Sequence, residues 1–163
     1  MTLLERGETG REASWAGAGM LAPVGEVHFQ EDANLRLGQE SLRLYPEFVK
    51  ELEAYTGQSV GYRSEGGLKI SLHADDTAEL RHLFDYQQKL DLPVRWLSGR
   101  EAQELEPALS HNVVAAVYSP ADHQVDNRLL VAALKAAFVK AGGALHEHTP
   151  VEEVHLREDG PPS

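Results

Sequence analysis

The chain opens MTLLERGETGREASWAGAGMLAP, and its first candidate for chemistry is Glu5. A short apolar run, Thr2 to Leu4, ends in this carboxylate and leads into a glycine-bearing loop and a small-residue segment, Ala13 to Ala18, that can start a helix. A strand that ends in a carboxylate and feeds a loop and a helix is the pattern of a second strand in a dinucleotide-binding unit, where the carboxylate accepts the hydroxyls of a ribose. Elsewhere His146 and His148 alternate as on one strand face, with Glu152, Glu153 and His155 following, a spacing that could hold a divalent ion. Ser119, Asp122 and His123 place a hydroxyl, a carboxylate and an imidazole within five residues, although such triads are assembled in space rather than in sequence.

Elements that could position these groups follow from periodicity. Leu37, Leu42, Tyr45, Phe48, Val49 and Leu52 recur at three and four residues, predicting a helix capped by Asp32 or Asn34 and stopped at Gly57. Val60 to Arg63 and Leu68 to Leu72 flank Ser64-Glu65-Gly66-Gly67, which predicts a β-hairpin. A helix from Asp75 to Leu90, capped by Asp75 or Asp76, precedes a strand at Val94 to Leu97. Ser98 and Glu101 then form a capping box that opens a short helix ended by Pro107. Val113 to Tyr118 is β-rich. Asp126 caps a long helix stopped at Gly142-Gly143, and Ala144 to Leu156 is extended, broken at Pro150. No internal repeat is present. The fold class expected is mixed α/β (α+β): a partial Rossmann-like framework from residues 1–30 and 121–157, an inserted α+β layer from 31–120, and a frayed tail at 158–163.

Composition narrows the partners. At 163 residues, with 42% hydrophobic and 25% charged residues, this is an ordinary globular chain with one core. A net charge of -11 without a basic stripe argues against nucleic acid. No apolar run approaches the roughly 20 residues of a membrane span. The chain has no cysteine, so disulfides and thiolate metal sites are excluded, which suits the cytoplasm.

The order Glu5-Arg6-Gly7, Gly10 to Pro23, Gly66-Gly67-Leu68, Val117 to Asp126, Ala141 to Ala144 and His148 to Val151 resembles glycine oxidases, FAD-dependent enzymes of the D-amino-acid oxidase superfamily associated with thiamine biosynthesis. The resemblance covers nearly the whole sequence. It implies that Glu5 holds the adenosine ribose of FAD, with Arg6 beside the adenine. Ser14 would meet the pyrophosphate, while Ala18, Gly19 and Met20 would pass along the flavin ring and Val151 would lie against the adenine. It further implies a G-x-G-x-x-G loop upstream and substrate-binding residues in a second half downstream. On that reading the chain is part of a longer amino-acid oxidase, is not expected to turn over or to retain FAD firmly on its own, contributes no catalytic residue of its own, and self-associates as a homo-oligomer through exposed edges. Two further readings are a noncatalytic assembly module and the histidine-based metal site.

Overall fold

A computed structural model describes residues 1–29 and 32–154. Along the chain run β1 (Thr2–Leu4), α1 (Ala13–Ala16), β2 (Met20–Leu21), α2 (Asp32–Thr56), β3 (Gly67–Ser71), α3 (Ala74–Lys89), β4 (Arg95–Ser98), α4 (Gly99–Leu105), β5 (Ala115–Ser119), β6 (His123–Gln124), α5 (Asn127–Lys140) and β7 (Ala144–His146). They fall into two compact units. The first takes Met1–Ala18, Lys50–Gly61 and the chain from Asp126 onward; the second takes Gly19–Val49 and Tyr62–Val125.

In the first unit the apolar opening strand β1 pairs in parallel with β7, setting Thr2 against Ala144, Leu3 against Leu145 and Leu4 against His146. The ladder continues past β1, because the Glu5 N–H donates to the His146 carbonyl at 2.9 Å. Parallel strands need a crossover, and α5 is the element that delivers the chain to β7. Asp126 starts that helix as expected: its Oδ1 accepts the N–H groups of Arg128 and Leu129 at 2.9 and 3.0 Å. At the other end Gly142 takes φ +86, and the Gly143 N–H returns to the Phe138 carbonyl at 2.9 Å.

The second unit is built on an antiparallel sheet ordered β3-β5-β4. Its central strand, Ala-Ala-Val-Tyr-Ser, is nearly continuous in apolar or small residues because both faces are covered, and Ala116 and Val117 are buried. One core cluster joins Val24, Val27, Leu35, Leu80, Leu83, Leu92, Val94 and Val117; another gathers Leu97, Ala102, Val113 and Ala116. The capping box is formed: Ser98 Oγ accepts from the Glu101 N–H at 3.3 Å while Glu101 Oε2 accepts from the Ser98 N–H at 2.7 Å.

The expected hairpin does not form. β3 pairs instead with β5, Gly67 against Ser119 through Ser71 against Ala115, and Arg63 bridges to Gln124. The glycines of Ser64–Gly67 serve close packing rather than a strand reversal. Gly66 has φ +94, and a Cβ there would lie 2.6 Å from the Tyr118 ring and 2.7 Å from the Ser119 carbonyl oxygen. The helix expected to be capped by Asp75 or Asp76 is α3, whose N-cap is His73, without a side-chain cap bond. The extended run predicted from Ala144 stops at His146, and His148 turns to φ +55. The tail at 158–163 lies outside the described residues.

Candidate functional site

In the first unit Glu5 stands at the C-terminal end of β1 and is half-buried. Its Oε1 accepts the Gly7 N–H at 2.8 Å, and its carbonyl accepts the Thr149 N–H at 2.8 Å. The His148 N–H donates to the Gly7 carbonyl at 3.1 Å. The ends of two parallel strands thus run side by side, and the stretch from His148 leads within three residues to Val151, whose side chain is 58% exposed. The second carboxylate oxygen of Glu5 makes no hydrogen bond among the described residues. Ligands of open α/β sheets bind at this carboxyl end of the strands.

Arg6 is exposed and pairs with Glu12 at 2.9 Å. Ser14 sits in α1, a helix of a single turn whose dipole is correspondingly small. The Ser14 hydroxyl is without an intramolecular partner among the described residues, while its carbonyl accepts from the Asn127 side-chain amide. Asn127 therefore anchors the segment carrying Ser14, a role the sequence reading missed although the residue directly follows the Asp126 cap. Ala18 is exposed.

Behind this edge Glu147 accepts from Lys135 Nζ at 2.7 Å and from the Thr9 N–H at 2.8 Å. The Lys135 ammonium, with help from that N–H, holds the carboxyl at about 2, below the usual 4.5. A depressed carboxyl stabilises the fold fully above its unfolded value and loses that contribution as pH falls through the folded one. The stability difference between wild type and Glu147→Gln is therefore expected to be constant above about pH 4.5 and to shrink steadily toward pH 2. Denaturant titrations across this range measure it; a difference independent of pH would show that the carboxylate charge does not stabilise the fold.

In the second unit Gly19 takes φ +75, a conformation that favours glycine, and its carbonyl accepts the Val125 N–H at 2.9 Å. Met20 follows on β2, paired antiparallel with Gln124, and is 57% exposed. Beside Met20 opens a cleft of about 240 Å³, mostly apolar, with Gln87, Ser119 and Asp122 in its wall. Asp122 is buried and clasps the neighbouring loop, accepting the Val24 N–H at 3.0 Å and the Gly25 N–H at 2.7 Å. Buried Gln87 donates to the Val24 carbonyl at 2.9 Å; among the described residues its Oε1 has no hydrogen-bond partner, nor has the Ser119 hydroxyl. Gln87 was legible in principle, for it shares the helical face of Leu80, Leu83 and Leu90.

Two other clusters dissolve. Ser119, Asp122 and His123 go to different places: Asp122 serves backbone N–H groups, and His123 Nδ1 bonds the Tyr62 hydroxyl at 2.6 Å. His146 and His148 do not share a strand face, since β7 ends between them. Among the described residues no group of three or more histidines and carboxylates could hold a metal ion, and His155 lies outside them. No described helix is long and apolar enough to cross a membrane.

Comparison with known proteins gives a consistent result. The family profile described as FAD dependent oxidoreductase matches residues 1–161. The glycine oxidase of Geobacillus kaustophilus is 33% identical over 161 residues, which is 98% of this chain and 42% of that protein. The bifunctional protein ThiO/ThiG of Trichormus variabilis is 33% identical over 148 residues, 91% of this chain and 22% of its own length. Crystal structures of glycine oxidases from G. kaustophilus and Bacillus cereus superimpose with TM-scores of 0.87 and 0.85, the latter at 28% identity, and the chain spans 42% and 43% of them. The chain thus covers less than half the length of these relatives.

Proposed function

Because the chain belongs to the FAD dependent oxidoreductase family, we propose that it carries the adenosine-side and flavin-side contacts of a glycine-oxidase-like enzyme. The observation that carries this reading is the pairing of β1 with β7, which brings the Glu5 carboxylate beside the run leading to Val151. The donor set fits the cofactor: one Glu5 oxygen is occupied by Gly7 and the other is open, the Ser14 hydroxyl is open, and the backbone at Gly19 permits close approach. Glu5 would accept ribose hydroxyls and Ser14 would donate to a phosphate. The Val151 backbone would pair with the adenine edge, with Arg6 alongside, and Ala18, Gly19 and Met20 would lie along the ring system.

FAD, when bound, supplies a two-electron acceptor. In the complete oxidase a small amine such as glycine would give up a hydride from carbon and a proton from nitrogen, two electrons and two protons in all, leaving an imine that hydrolyses to glyoxylate and ammonia, while oxygen takes up the two electrons and two protons as hydrogen peroxide. The cleft beside Met20 is suited to keep water away from a small substrate through its apolar wall. Turnover is assigned to a polypeptide holding the rest of the relatives' length, in the cytoplasm and as a homo-oligomer; the exposed Leu3 and Leu4 support self-association.

Titration of FAD into the chain, followed by flavin fluorescence and polarisation, tests the reading. Saturable binding at one site per chain is expected. A response that stays linear to millimolar flavin would overturn it.

A further inference from the structure

We propose that the first unit holds a second small-ligand site, one that recognises a phosphate group, in the cleft formed by Trp15, Arg11 and Arg128. This cleft encloses about 320 Å³ and lies beside α5. Its centre is the Trp15 indole, flanked by the guanidinium groups of Arg11 and Arg128, each 4.1 Å from the ring centroid. Stacking on an aromatic face fixes the plane of a guanidinium and leaves its N–H edge directed outward, the arrangement that binds oxyanions in a bidentate manner.

The charges in the cleft are not matched. Arg11 pairs with Glu8 at 3.1 Å, and Lys135 with Glu147 at 2.7 Å. Arg128 makes a long bond from Nε to the Trp15 carbonyl, 3.4 Å, and meets no carboxylate among the described residues. The cleft thus carries one more cation than carboxylates, in a chain whose net charge is -11. A guanidinium that meets no carboxylate among the described residues, with a second over the same ring, suits a tetrahedral dianion, inorganic phosphate or a phosphate monoester. The fixed fork favours phosphate over a spherical anion such as chloride, which has no pair of oxygens to match it. The site is independent of Glu5, which takes no part in this cleft.

Trp15 reports on its own occupancy. Inorganic phosphate, titrated at constant ionic strength and read by tryptophan fluorescence and calorimetry, is expected to bind saturably in the millimolar range, with chloride giving no saturation. Arg128→Gln is expected to weaken phosphate binding about tenfold or more, the loss of one charge-assisted pair. Arg11→Gln, on an exposed loop, provides a second variant should the first not fold, and is expected to weaken binding similarly. Trp15→Phe should abolish the fluorescence change and keep the heat of binding. Glu5→Ala should leave phosphate affinity unchanged, which separates this site from the proposed FAD contacts. Tighter binding of AMP than of phosphate in Glu5→Ala would identify the monoester as the preferred ligand, and equal binding would identify phosphate alone. A response equal to that of chloride, or one unchanged in a folded Arg128→Gln or Arg11→Gln protein, would overturn the proposal.

Discussion

Glu5→Ala is expected to raise the dissociation constant for FAD roughly 10- to 100-fold. Hydrogen bonds to a charged acceptor contribute about 1.5–3 kcal/mol, and each 1.4 kcal/mol is a factor of ten in affinity. The fold should survive the change, because the backbone bonds of Glu5 to His146 and Thr149 do not involve its side chain. What is lost within the protein is the single bond from the Gly7 N–H, about 1 kcal/mol. Glu5→Gln retains an acceptor for Gly7 and loses the charge, so its affinity should fall between wild type and Glu5→Ala. Glu12→Ala, which removes only the exposed partner of Arg6, is expected to change affinity less than about twofold, as for most exposed ion pairs. Equal flavin affinity for Glu5→Ala and wild type would remove Glu5 from the site.

The largest effect on stability is expected at Gly99, the first residue of α4. A Cβ there would fall 1.9 Å from the Val113 carbonyl oxygen and 2.8 Å from its carbon. The obstacle is backbone, so no side-chain rotation relieves it. Either α4 moves off the sheet or the bond from the Gly99 N–H to the Val114 carbonyl, 3.0 Å, is broken. Gly99→Ala should cost about 3 kcal/mol, at the upper end of overpacking effects, and lower the melting temperature by roughly 6–12 °C. Gly57→Ala is the control: that glycine has φ +75 but nothing within 4 Å, so only its backbone conformation is penalised, by about 1 kcal/mol. Melting curves for both variants decide the matter, and similar losses would contradict the steric explanation.

Local chemistry made some elements legible in the sequence and left others hidden. Asp126 and the Ser98–Glu101 box are correctly read because a cap satisfies orphan N–H groups within three residues of itself. The opening strand was legible from its end, a carboxylate after an apolar run, and its partner from the glycines that stop α5. The hairpin was misread because two glycines are compatible both with a turn and with a close approach. The neighbour that decides between them, Tyr118, is more than fifty residues away in the chain. The two-residue ladder of β2 with β6 carries no periodic signal at all. Glu5 is singled out by its own local pattern and Gly19 by resemblance, whereas Asn127, Asp122 and Gln87 act on backbone groups far away in the chain, which spacing alone does not reveal.

The pairing of Thr2 with Ala144 has a consequence for biogenesis. Every residue of the second unit is synthesised between these two partners, so its sheet can assemble on the ribosome before the β1–β7 ladder closes. The β1–β7 ladder closes only when β7 emerges, a contact of very high sequence separation that should make its formation a slow step of folding. Ribosome release before residue 144 would leave the second unit formed and β1 without its β7 partner, an edge open to capture by chaperones or by like strands.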